Sequence, residues 1–83
     1  MTVNDLSHIY FALQGYQLSD QLADSSNPQI MYYGYVNREG KWYILKADDS
    51  TGTYRFVKGD SGYTTAWIAR ESASYDYFYN VFK

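Results

Sequence analysis

The side chains best suited to acid–base or metal chemistry are one histidine, His8, and nine carboxylates, in a chain without cysteine. A metal centre using two imidazoles cannot be built from a single His8. The lack of cysteine excludes a thiolate metal site, a cysteine nucleophile and a disulfide framework. Apart from Asp5, the carboxylates occur as the neighbours Asp48 and Asp49, and singly at Asp20, Asp24, Glu39, Asp60, Glu71 and Asp76. General acid–base work needs two carboxyls converging in unlike environments. These instead sit mostly beside Gly, Ser and Thr, in segments that read as turns. The run Asp48, Asp49, Ser50, Thr51, Gly52 has an outward likeness to a calcium loop. It lacks the alternating oxygen ligands and the bidentate Glu six residues past the glycine that such a loop needs. Gly34 and Gly40, and Gly59 with Gly62, do not open helices after parallel strands, so no phosphate-cradling loop is expected. The sequence therefore implies no catalytic residue, no metal, no cofactor and no enzymatic activity.

The cations Arg38, Lys41, Lys46, Arg55, Lys58, Arg70 and Lys83 are interspersed with acids, and the net charge is -2. A nucleic-acid surface needs clustered cations, so nucleic acid is not an expected partner. The outstanding compositional feature is aromatic: eleven Tyr, four Phe and two Trp. Tyr32, Tyr33, Tyr35, Tyr43, Tyr54, Tyr63, Tyr75, Tyr77 and Tyr79 could stack on sugar rings. The simpler use is to fill the edge of a core and protein interfaces, because Tyr brings large contact area at low rotamer entropy and tolerates a half-wet setting.

These residues must be positioned by one small domain, since a chain of 83 residues buries only about 60% of its unfolded surface. The first residues carry no cationic or apolar export signal, and no run approaches the roughly 20 apolar residues of a spanning helix, so no membrane partner is expected. Pro28, within a polar cluster from Asp24, divides an N-terminal segment, residues 1–28, from a main domain, residues 29–83. In the first segment Leu6, Ile9, Tyr10 and Leu13 fall at helical spacing, whereas Ile9, Tyr10 and Phe11 favour an extended arm; both readings stay open. Leu6, Ile9, Tyr10, Phe11 and Leu13 are the expected protein-interface residues.

Downstream, Ile30 to Asn37, Lys41 to Ala47 and Thr53 to Lys58 read as strands, separated by turn residues at Arg38–Gly40 and Asp48–Gly52. Tyr63 to Arg70 reads as a short helix, and Tyr75 to Phe82 as a closing strand or packed aromatic tail. The expected fold is β-rich α+β: a three-stranded antiparallel meander with a short helix, an aromatic C-terminal tail and an N-terminal arm or helix. A period of two sends Trp42, Ile44 and Lys46 to one face and Tyr43, Leu45 and Ala47 to the other. Large apolar groups thus occupy both faces. One face is expected to pack on the Trp67 helix and the Phe78, Phe82 tail, the other on the N-terminal segment or a second copy. Trp42, Ile44, Phe56, Trp67 and Phe78 are the expected core.

The run Tyr32, Tyr33, Gly34, Tyr35, then Gly40, Lys41, Trp42, Tyr43, Ile44, Leu45, Lys46, then Tyr54, Arg55, Phe56, Trp67, Ile68, Ala69, Arg70 and Tyr75, Asp76, Tyr77, Phe78 resembles small proteins of tailed bacteriophages. The shared order is Y-x-G-x … W-x-I-x-K … W-x-x-R … Y, over residues 31–82. The resemblance implies a noncatalytic virion component made in the host cytoplasm, such as a head decoration, neck or tail accessory protein. Its partners would be other virion proteins and copies of itself. Gly40, Lys41, Trp42, Tyr43 also looks like the G-x-W-Y core of glycan-binding repeats, although the unit does not recur. A module recognising host surface glycan is the alternative expectation.

Overall fold

A computed structural model describes residues 15–83. Four strands, β1 (Gln17–Ala23), β2 (Ile30–Val36), β3 (Trp42–Asp48) and β4 (Thr53–Gly59), form one antiparallel sheet in chain order. The α1 helix (Tyr63–Ile68), a 3-10 turn (Arg70–Ser72) and the α2 helix (Phe78–Val81) follow. The domain is β-rich with short helices, but the sheet has four strands where three were expected. The additional strand is β1, drawn from the stretch assigned to the N-terminal segment. Its sequence, QLSDQLA, has no β-branched or aromatic residue. It is a strand because its backbone pairs with β2, from Gln17 against Val36 to Ala23 against Met31. Pairing overrides so weak a local preference.

Each strand connection is stabilised by an Asx side chain at or just past the end of the outgoing strand. Asp24 accepts the N–H groups of Ser26 and Asn27 at 2.7 and 3.2 Å. Asn37 Oδ1 accepts those of Glu39 and Lys41, both at 3.0 Å. Asp48 Oδ1 accepts the Ser50 N–H at 3.0 Å and its hydroxyl at 2.6 Å. Gly40 in the second turn (φ 87°) and Gly52 in the third (φ 68°) take up left-handed backbone that an L side chain disfavours.

Strand register defines the two faces. Tyr32, Gly34 and Val36 pair with Lys46, Ile44 and Trp42, and the last two pair on with Val57 and Gly59. This indole face holds the core, in which Tyr32, Trp42, Ile44 and Trp67 are buried and Ile30, Val36, Val57, Tyr63, Ala66 and Tyr75 pack around them. Two glycines make it possible. A Cβ at Gly34 would strike the Tyr63 hydroxyl and stand 3.0 Å from Trp67 Cε3, so α1 can lie directly on β2 only where the side chain is missing. A Cβ at Gly59 would meet the Trp42 indole, 2.6 Å from Cε2. The indole lies in that recess and donates its Nε1–H to the Ser61 carbonyl at 2.6 Å.

The opposite, tyrosine face is built from rings on rings. Tyr35 stacks on Tyr43 at 4.5 Å and 11°, while Tyr16 meets Tyr43 edge-on at 5.0 Å. Phe78 and Phe82 approach Phe56 at 5.4 and 5.6 Å, and Phe82 meets Tyr43 at 5.4 Å. Helix and tail therefore cover opposite faces, not the same one. The tail changes sides at the outer edge of β4. Tyr75 packs on Tyr32 at the indole face, with ring centroids 5.9 Å apart. Asp76 then exchanges backbone hydrogen bonds of 2.7 and 2.8 Å with Phe56, and Phe78 arrives on the tyrosine face.

Candidate functional site

Asp20, Asp24, Asp48, Glu71 and Asp76 are occupied by local structure. Asp24, Asp48 and Asp76 are each held below the usual carboxylate range, chiefly by the Ser26 N–H, the Ser50 hydroxyl and the Tyr77 N–H respectively. Asp20 accepts the Tyr63 hydroxyl at 2.7 Å, tying β1 to α1. Glu71 accepts the Ser25 N–H and hydroxyl, both at 3.0 Å, pinning the β1–β2 turn to the 3-10 turn. Among the described residues no group of three or more His, Cys, Asp or Glu could hold a metal ion. A cleft of about 700 Å3 beside the β2–β3 turn is lined by Gly15, Gln17, Val36, Asn37, Arg38 and Glu39. Its one amide side chain with convergent contacts, Asn37, is committed to the turn.

The tyrosines divide by burial. Removal from water, reinforced by the hydrogen bond to Asp24 Oδ2, pushes the Tyr32 phenol up to about 12. Burial likewise raises Tyr43, Tyr63 and Tyr75, with further contributions from Tyr35, Asp20 and Tyr32 respectively. These rings belong to the core and its margin. Tyr54, Tyr77 and Tyr79 are exposed, Tyr79 most at 66%. Tyr54 stands on β4; in the tail, the Tyr77 ring lies 4.1 Å from the Arg55 guanidinium and Tyr79 stacks on it at 5.4 Å. Both indoles are buried, so neither is available to a ligand.

Apolar side chains are also exposed away from this group: Ile68 on α1, and Leu18 and Leu22 on β1. The two edges of the sheet differ. The outer edge of β4 is bridged at Phe56 by Asp76, whereas among the described residues β1 is bonded on one side alone, to β2. Among the described residues the surface offers protein contact at the β1 edge, at Tyr54, at the Tyr77–Tyr79 stack and at Ile68.

Of the residues expected to matter, Trp42, Ile44 and Trp67 lie in the indole-face core. Phe56 and Phe78 lie partly buried on the tyrosine face. Leu6, Ile9, Tyr10, Phe11 and Leu13, with His8, lie outside the described residues. The Y-x-G-x … W-x-I-x-K … W-x-x-R … Y order describes one packing unit. Tyr32, Gly34, Trp42, Ile44 and Lys46 share the indole face, and Trp67 and Tyr75 pack on it. Lys46 lies 5.6 Å from the Tyr75 ring and Arg70 lies 4.7 Å from the Trp67 ring. Sequence reasoning missed the β1 edge. The signal for it was Asp24, an Asx residue just past a strand end, as Asn37 is after β2.

Compared with known proteins, the chain matches no family model, no curated protein and no solved structure.

Proposed function

We propose that the chain is a noncatalytic bacteriophage structural protein, a head decoration, neck or tail accessory component, acting through protein–protein contacts in a multi-copy assembly. The observation that carries the contact role is the pairing, among the described residues, of an open strand edge with exposed apolar side chains, Leu18, Leu22, Tyr54, Ile68 and Tyr79. Asp24, Asn37, Asp48 and Glu71, by contrast, are consumed in turns and latches. Apolar groups at the rim of so small a domain suit contact with neighbouring chains. The assignment to a virion rests on the resemblance alone. Co-sedimentation of the purified chain with phage heads and tails is the test: saturable incorporation is expected, and a chain that joins no particle overturns the reading.

The glycan alternative has the exposed Tyr54, Tyr77 and Tyr79 in its favour. Tyr77 and Tyr79 stack on each other and do not lie side by side as a flat platform. Because Trp42 and Trp67 are buried, tryptophan quenching is an unsuitable readout. Shifts of the Tyr77 and Tyr79 ring protons across a host glycan panel would support this reading, and their absence would remove it.

A further inference from the structure

We propose that β1 is a self-association edge: two copies pair their β1 strands antiparallel about a two-fold axis at Leu22, joining two four-stranded sheets into one. The proposal deepens the assembly reading by naming one of its interfaces, but its test needs no other virion component.

Backbone alternation sets the geometry. Asp24 donates its N–H inward to the Ile30 carbonyl at 2.8 Å. Leu22 therefore also faces β2, opposite Tyr32, while Gln21 and Ala23 direct their N–H and C=O groups away from the sheet. An axis at Leu22 sets Gln21 against the partner's Ala23 twice, and each such pair exchanges two hydrogen bonds. The two Leu22 residues then meet as a non-hydrogen-bonded pair, the arrangement in which side chains approach most closely. An axis at Gln21 is poorer, because it needs Ser19, where the register of β1 is broken between Leu18 and Asp20.

Side-chain chemistry favours a second copy as the occupant. Leu22 is half exposed and lies on the indole face, so self-pairing covers it with its own equivalent. Asp20 is the strand's one charge, and its carboxylate is engaged by Tyr63 and by Ser19 at 2.7 and 3.2 Å. The pairing also closes on itself. Among the described residues it consumes the open edge of both copies and leaves β4 outermost, where Asp76 already occupies Phe56. A dimer results and not a fibre. The same register places Asp20 opposite the partner's Asp24, so association should strengthen as salt rises.

Single cysteines test this on a cysteine-free background. Leu22→Cys should oxidise to a disulfide dimer at least about tenfold faster than Leu18→Cys, since only residues on the axis come within disulfide reach. Leu18 is equally exposed and serves as the control. Leu22→Lys, a change at an exposed site, should leave the far-ultraviolet circular dichroism unchanged and give a monomer in sedimentation. Gln21→Pro, which removes an outward N–H, should do the same. Equal oxidation rates, a dimer that survives Leu22→Lys, or a wild-type chain that stays monomeric would overturn the proposal. A wild-type monomer that joins virions would overturn self-pairing while leaving the structural-protein reading intact. A dimer that joins no particle would do the reverse.

Discussion

On the indole face the large rings sink into recesses left by Gly34 and Gly59, whereas on the tyrosine face ring meets ring and no glycine intervenes. The first mode fixes each indole against backbone, so that every atom has one place. The second spreads contact over Tyr16, Tyr35, Tyr43, Phe56, Phe78 and Phe82, where tilts can adjust. The contrast shows how a domain without disulfides and with few aliphatics is held: one face supplies precision, the other supplies area. It predicts that substitutions on the indole face are costly whenever volume changes, and that the tyrosine face tolerates changes that keep a ring.

Trp42→Ala is the largest way to break the contrast. It removes a buried indole and its bond to Ser61 and should cost about 3 to 5 kcal/mol, enough to unfold a small domain in urea titrations. Loss of helix signal without loss of sheet would show that the two faces fold separately. Alkaline titration sharpens the contrast next. Tyr32 is raised from 10.0 to about 12 in the folded chain, and Tyr43, Tyr63 and Tyr75 are raised as well. A raised phenol favours the protonated, folded form. Its contribution is fully present below pH 10.0 and disappears as pH climbs through about 12. Unfolding in that window should coincide with a steep rise in phenolate absorbance; a gradual rise with no unfolding would mean that the phenols are open to water.

Gly59→Ala puts a methyl against the Trp42 indole and should cost about 1 to 3 kcal/mol, read as a lowered denaturation midpoint. Tyr43→Phe, on the other face, keeps the stack on Tyr35 and should cost less than about 1.5 kcal/mol. If the two were equal, the distinction between recess and stack would fail. The smallest effect is expected from Arg55→Ala, which removes a cation lying on the Tyr77 ring, worth about 0.5 to 1 kcal/mol at an exposed site. It should raise amide exchange in the tail while leaving the sheet unchanged.

The strands β2, β3 and β4 were legible because their β-rich runs are punctuated by Asn37, Gly40, Asp48 and Gly52, which have a mechanical role in the turns. The helix was legible too, and ends at Ile68 before a separate 3-10 turn. β1 was not, since its polar residues and Leu18 and Leu22 give no period; an edge strand needs only a neighbour's backbone. The recesses at Gly34 and Gly59 were also hidden, because each is defined by a residue distant in sequence, Tyr63 or Trp42. The tail's position was misjudged for the same reason. Phe78 and Phe82 look like partners of Trp67 until Asp76 is seen to carry the chain around β4. The phage-like order proves to be a packing code for one face, which is why it speaks of fold more directly than of any site.

The Phe56–Asp76 bridge also has a consequence for how the chain is made. Asp76 lies downstream of β4 and of α1, so a nascent chain completes the sheet before it can cover that margin. During this interval the outer edge of β4 is bare at Phe56, and crowded polysomes can pair it with the strands of neighbouring chains. Speed of tail docking then decides between soluble product and inclusion bodies. A chain stopped before Asp76 should accumulate as aggregate even though its strands are intact.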